Sequence, residues 1–216
     1  MRIGVLGTGM VGKTIGARLV GLGHEVVLGS RTPDNPSASA WARQVGDGAD
    51  RGTFADAARF GELLFNCTAG TGSLAAVGSA DEGDLVGKVL IDVANPLDFS
   101  QGFPPSLSVV NTDSLGEQIQ RAHPALRVVK ALNTMNCQIM VDPGRLGATH
   151  HVFLSGDDAD AKGTVVRLLQ EFGWPASCII DLGDITTARG PEMFLPLWLR
   201  LYGVLATGEF NIAVVR

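Results

Sequence analysis

The chain has 216 residues, 45% of them hydrophobic and only 18% charged, with 28 glycines and a formal net charge of −5. That length accommodates one domain with a modest extension, and the acidic balance without any Lys/Arg run excludes a nucleic-acid phosphate backbone as partner. The longest apolar stretch, Met193 to Leu205, contains Pro196 and Arg200 and is well short of the ~20 residues of a membrane span, so no membrane association is expected.

Taken in chain order, Arg2 to Leu6 reads as a buried strand. Met1 leads directly into it, which leaves no room for a signal peptide and points to the cytoplasm. Val11, Ile15, Leu19 and Leu22 then fall at helical spacing over residues 10–22, with Gly23 as the stop, and Glu25 to Gly29 forms a second strand. A polar turn from Thr32 to Pro36 opens a helix near Ser37 to Val45. Further strands are expected at Glu62–Thr68, Val89–Val93, Val128–Leu132 and His151–Leu154, then a helix over Asp157–Phe172 and a short strand at Cys178–Asp181. One long aromatic-rich helix is expected from Ile185 to Thr207, and the loop Pro96 to Pro105 has the look of a mobile lid.

Strands alternating with helices imply a Rossmann-like, doubly wound parallel α/β sheet. We expect residues 1–145 to form the NADP-binding domain and 146–216 a small α/β extension. Cys67, Cys137 and Cys178 are odd in number and show no C-x-x-C pairing, so packing is their expected role. Adjacent His150 and His151 point to opposite faces of a strand, one toward the core, and no metal site is expected.

The segment Gly7-Thr8-Gly9-Met10-Val11-Gly12 matches G-x-G-x-x-G between the first strand and the first helix. Gly7 permits the tight turn, Gly9 lets the backbone approach a pyrophosphate, Gly12 lets helix and strand pack closely, and the helix N-terminus offers N–H groups to the anion. An NAD-binding chain would end its second strand with Asp or Glu for the ribose hydroxyls. Here the strand ends Gly29-Ser30-Arg31-Thr32, with no acid before Asp34. The Arg31 guanidinium can pair with a 2′-phosphate and the hydroxyls of Ser30 and Thr32 can donate to it, so NADP(H) is the expected cofactor.

At the carboxyl end of the strand Glu62–Thr68, Thr68, Ala69 and Gly70 are small residues where doubly wound sheets put their ligands, and are expected beside the ribose and nicotinamide. Asn95, before Pro96, holds a similar position. The run Val128-Val-Lys-Ala131-Leu-Asn133-Thr134-Met135 also ends a buried strand; Ala131, Asn133 and Thr134 are candidates for the nicotinamide end, with a simple turn as the alternative for Asn133. No His–Asp, Ser-x-x-x-Lys or Tyr-x-x-x-Lys arrangement supplies a general acid, so no catalytic side chain is assigned. Transfer of a hydride between two carriers needs none, only rings held in contact. Met193, Phe194, Leu197, Trp198, Leu201 and Tyr202 form an apolar band suited to a core or a dimer interface.

The stretches Met1-Arg-Ile-Gly-Val-Leu-Gly-Thr-Gly-Met-Val-Gly12, Gly23-His-Glu-Val-Val-Leu-Gly-Ser-Arg31 and Val128-Val-Lys-Ala-Leu-Asn-Thr134 together resemble the NADPH-dependent reductases of coenzyme F420, a 5-deazaflavin hydride carrier. The resemblance runs along nearly the whole chain. It implies that Ser30 and Arg31 hold the 2′-phosphate, that Gly7 to Gly12 hold the pyrophosphate, that F420 is the second carrier, and that the protein is a homodimer whose C-terminal part borders the deazaflavin cleft. Archaeal members differ at Thr68-Ala-Gly70, where they tend to have a Pro-containing turn, and at Asn133, where they have His. The Lys-Ala-Leu-Asn-Thr form is also similar to the flavin-using reductase domain of the six-transmembrane metalloreductases. The expected function is hydride transfer between NADP(H) and F420, the alternatives being NADPH-dependent reduction of a flavin, quinone or small imine or carbonyl compound, or a non-catalytic NADPH-binding or sensing role.

Overall fold

Strands covered by helices on both faces must be apolar along their whole length, and the first of them, β1 (Arg2–Leu6), is buried from Ile3 onward. The computed structural model describes residues 1–216. Helix α1 (Met10–Gly21) returns over the sheet through Ile15 and Leu19 to β2 (Glu25–Ser30). Asn35 caps α2 (Pro36–Val45) by accepting the Ala38 N–H, and Pro36 sits where a helix needs no N–H. Trp41 of this helix packs against Gly16 of α1, where a Cβ would come within 2.8 Å of the indole.

Two elements not anticipated from the sequence follow, the edge strand β3 (Ala49–Thr53) and α3 (Phe54–Phe60). Then come β4 (Leu63–Asn66), α4 (Gly70–Val77), the short α5 (Glu82–Leu85) and β5 (Val89–Asp92). The loop expected as a lid carries a small antiparallel hairpin of β6 (Leu97–Asp98) and β7 (Ser106–Leu107). Helix α6 (Leu115–Ala122) leads to β8 (Arg127–Ala131), and α7 (Cys137–Val141) to β9 (Val152–Ser155). The amphipathic α8 (Ala159–Glu171), capped by Asp158, precedes β10 (Ile179–Asp181).

The expected single helix over 185–207 is corrected: a 3-10 turn (Ile185–Ala188), α9 (Arg189–Met193) and α10 (Leu195–Leu205) occupy it. Pro196 lies in the first turn of α10, so the chain restarts a helix there.

The eight long-sheet strands run in the order β10-β9-β8-β5-β4-β1-β2-β3. All neighbours are parallel except β8 and β9. The order reverses between β1 and β4, and at such a switch point two adjacent loops diverge to opposite faces and leave a crevice. Residues beyond 145 extend the same sheet, and Val152, Leu154, Val165, Leu168, Phe172 and Trp174 share one core cluster with Ile3, Ile15 and Leu28.

Candidate functional site

A cleft of about 810 Å³ opens at the carboxyl ends of β1, β2, β3 and β4. The glycine fingerprint forms its floor. Gly7 has φ +122°, and a Cβ there would lie 2.5 Å from the Cys67 carbonyl oxygen; Gly12 is closer still, its Cβ position falling 2.1 Å from the Gly7 carbonyl oxygen. Neither position tolerates a side chain. At Gly9, by contrast, a Cβ would meet nothing within 4 Å, so open space lies in front of the first turn of α1. That turn has no side-chain cap and no acid, and the N–H groups of Met10, Val11 and Gly12 are left to satisfy an anion. The Met10 side chain itself points to solvent.

Arg31 is the one charged residue lining the cleft. It is exposed and forms no ion pair. Ser30 also lines the cleft. Its Oγ donates to the Thr32 carbonyl at 2.5 Å and accepts the Thr32 N–H at 3.3 Å, which shapes the turn that presents Arg31. Thr32 is exposed beside it.

Sequence reasoning passed over the wall formed by Thr53, Phe54 and Ala55 at the start of α3, and the part of α4 represented by Ala75 and Ser79. A signal for the first was present. Thr53-x-x-Asp56 is a capping box, with the Thr53 hydroxyl accepting the Asp56 N–H and the Asp56 carboxylate accepting the Thr53 N–H.

Thr68 and Ala69 line the cleft as expected positions of small residues. Gly70 lies behind them, where a Cβ would sit 2.1 Å from the Asn95 carbonyl oxygen, so the β4 and β5 turns touch through it. Asn95 and Asn133 are brought together: Asn95 Nδ2 donates to the Asn133 carbonyl at 2.9 Å, and Asn133 Nδ2 donates to Asn95 Oδ1 at 2.8 Å. Leu132 takes a left-handed φ of 65° to turn the chain there, an uncommon conformation for a bulky residue. Ala131 and Thr134 are buried and show no surface to the cleft. Cys67 is not simply a core residue, since it lines the cleft; burial pushes its thiol well above the usual range, and the Asp92 carboxylate adds to the shift.

Beneath Thr68 runs a continuous polar array. Its hydroxyl donates to Asn66 Oδ1 at 2.7 Å, Asn66 Nδ2 donates to Asp92 Oδ1 at 2.8 Å, and Asp92 Oδ2 accepts from Lys130 Nζ at 2.6 Å. Lys130 also pairs with Glu192 at 2.6 Å, and the Glu192 carboxylate accepts the Leu115 and Gly116 N–H groups at the start of α6. All of these residues below Thr68 are buried. Burial lowers the Lys130 pKa, but the two carboxylates outweigh it and the net shift is upward; burial raises that of Glu192. Nothing in the spacing of positions 92, 130 and 192 announces the array.

The donor set thus fits a phosphorylated dinucleotide: unpaired helix amides, a free guanidinium, and no carboxylate in the lining. A family model described as NADP oxidoreductase, coenzyme F420-dependent, matches residues 2–96. The F420-dependent NADP reductase of Methanothermobacter marburgensis is 30% identical over 215 residues, covering 93% of this chain and 92% of that one. The chain belongs to the family of coenzyme F420-dependent NADP oxidoreductases. It is an NADP-dependent oxidoreductase. A crystal structure from Arthrobacter sp. FB24, provisionally described as an F420-dependent NADP reductase, is similar to this member of the family at 52% identity and TM-score 0.95, over 100% of both chains. Metalloreductase STEAP3 of Rattus norvegicus is 28% identical over 218 residues, 97% of this chain, and the chain spans only 40% of that relative's length.

Proposed function

We propose that this oxidoreductase transfers a hydride between NADP(H) and the deazaflavin coenzyme F420, as a cytoplasmic homodimer. The observation that carries the nucleotide half of the reading is the cleft's charge, one unpaired arginine and no acid, at the end of the second strand. Arg31 holds the 2′-phosphate, the first-turn amides of α1 hold the pyrophosphate, and Phe54, Ala55, Ala75 and Ser79, which line the same cleft, border the adenine. Thr68 and Ala69 then border the nicotinamide half, with the Asn95–Asn133 pair at its far end.

NADPH supplies the hydride when bound, and oxidised F420 takes it as substrate. The side chains need only orient the two rings and keep them in contact, which is why the absence of a general acid is no obstacle. The F420 assignment is supported by the family and by the full-length similarity to the archaeal reductase. The homodimer is supported by the apolar side chains that the C-terminal helices leave uncovered: Met193, Leu197, Tyr202 and Leu205 are each exposed, surface that a second copy would cover. The unpaired cysteines suit a reducing compartment.

The test is a spectrophotometric turnover assay with NADPH and F420, run beside FMN and NADH. Bleaching of F420 with NADPH and hardly with NADH supports the proposal. Consumption of NADPH by FMN, with F420 left oxidised, replaces the acceptor by a flavin; the metalloreductase relative makes that the second reading.

A further inference from the structure

We propose that Asp92, held by Lys130, is a positioning residue that fixes the Thr68 hydroxyl as a hydrogen-bond acceptor toward the cleft, and so selects a donor group on the nicotinamide half of the dinucleotide. The inference rests on the reading of the cleft given above.

Asp92 Oδ1 receives both the Asn66 Nδ2 proton at 2.8 Å and the Ala94 N–H at 3.2 Å, while Oδ2 receives Lys130 Nζ. An oxygen of a carboxylate paired with an ammonium has only lone pairs to offer and can face only the amino side of the Asn66 amide, so the direction of Asn66 is set by its partner. Its Oδ1 is thereby turned to Thr68, where it accepts both the N–H at 3.3 Å and the hydroxyl at 2.7 Å. The hydroxyl has one proton, now spent. In the contact between Thr68 Oγ1 and Ser73 Oγ at 2.9 Å, Thr68 can therefore only accept, the one Ser73 proton having the Ala69 carbonyl at 3.4 Å as its longer alternative. At least one lone pair of the Thr68 oxygen is left, on a residue that lines the cleft. A lone pair recognises a donor, and the nicotinamide half offers two: the carboxamide N–H₂ and the ribose hydroxyls.

Replacing Asp92 by Asn reverses the chain of directions. The Lys130 ammonium, which keeps the Ala94 carbonyl at 2.7 Å, repels the amino side of the new amide; the amide therefore turns its oxygen to Nζ and its nitrogen to Asn66, leaving the Ala94 N–H without its acceptor, and Asn66 flips and frees the Thr68 proton. Lys130 keeps Glu192 as a counter-charge, so no unpaired cation is buried.

The experiment measures, by calorimetry, the affinities of NADP⁺ and of adenosine 2′,5′-bisphosphate, which lacks the nicotinamide half. Thr68→Val and Asp92→Asn are each expected to weaken NADP⁺ about five- to tenfold and to leave the bisphosphate unchanged. Thr68→Ser restores wild-type affinity, and Asp92→Asn adds nothing in the Thr68→Val background. Repeating the series with the 3-acetylpyridine analogue, which has methyl in place of the amino group, identifies the donor: loss of the Thr68→Val penalty assigns the carboxamide, and its persistence assigns the ribose. Additive losses, equal weakening of both ligands by Asp92→Asn, or failure of the serine variant overturns the inference alone. If the bisphosphate is indifferent to Arg31→Ala, the nucleotide lies elsewhere, and the cleft reading falls with it.

Discussion

Arg31 has no competitor for an anion in the cleft, and its guanidinium is held by nothing else. A charge-assisted hydrogen bond contributes roughly 1.5–3 kcal/mol. Arg31→Ala is therefore expected to weaken NADPH by roughly ten- to a hundredfold and to leave NADH unchanged, as read by fluorescence titration of both nucleotides. A second residue-scale effect lies away from the cleft. The Arg121 guanidinium, bonded at 2.9 and 2.8 Å, holds the Asp113 carboxyl down at about 2. A depressed acid stabilises the fold above its unfolded pKa of about 3.9 and ceases to do so as pH falls toward its folded value. Asp113→Asn is expected to destabilise by on the order of 1 kcal/mol at neutral pH, since Arg121 is solvent-exposed. Urea melts should show that difference shrinking from about pH 4 downward.

Among the elements, α1 depends on the contact between Gly12 and the Gly7 carbonyl, where backbone meets backbone and no side chain can yield. Gly12→Ala is expected to cost about 1–3 kcal/mol of stability and most of the NADP affinity, by thermal melt and titration. Helix α3 depends on its capping box; Thr53→Ala should cost about 1 kcal/mol in the same melt. The legibility of these elements differed for physical reasons. The β1-α1-β2 unit was plain because continuous apolar strands and the helical spacing of Ile15 and Leu19 both report burial. Strand β3 was not, because Asp50 and Arg51 are exposed on an edge strand and its run carries no hydrophobic signature. The last helix looked continuous because its apolar residues are, while the break comes from the backbone restart at Pro196. At the cleft, Gly7, Gly9, Arg31 and Thr68 announced themselves through local chemistry, whereas Asn66, Asp92, Lys130 and Glu192 meet only because β4, β5, β8 and α9 converge.

At the scale of the whole molecule that convergence ties the C-terminal helices to the sheet. Lys130→Met would leave Asp92 and Glu192 buried without their counter-charge, and a loss of about 3–5 kcal/mol is expected in chemical denaturation. The exposed face carrying Leu197 and Leu205 predicts a further whole-molecule result: sedimentation should give a dimer for the wild type and a monomer for Leu197→Glu. The reversal of strand order between β1 and β4 has a different kind of consequence. On the proposed reading, a dinucleotide lying across it would meet two separately encoded halves, the adenosine end chiefly on the loops after β1, β2 and β3, the reactive end on those after β4, β5 and β8. The two specificities are therefore modular: a graft confined to residues 30–35 should exchange one nicotinamide coenzyme for the other while the choice of hydride acceptor stays as it was.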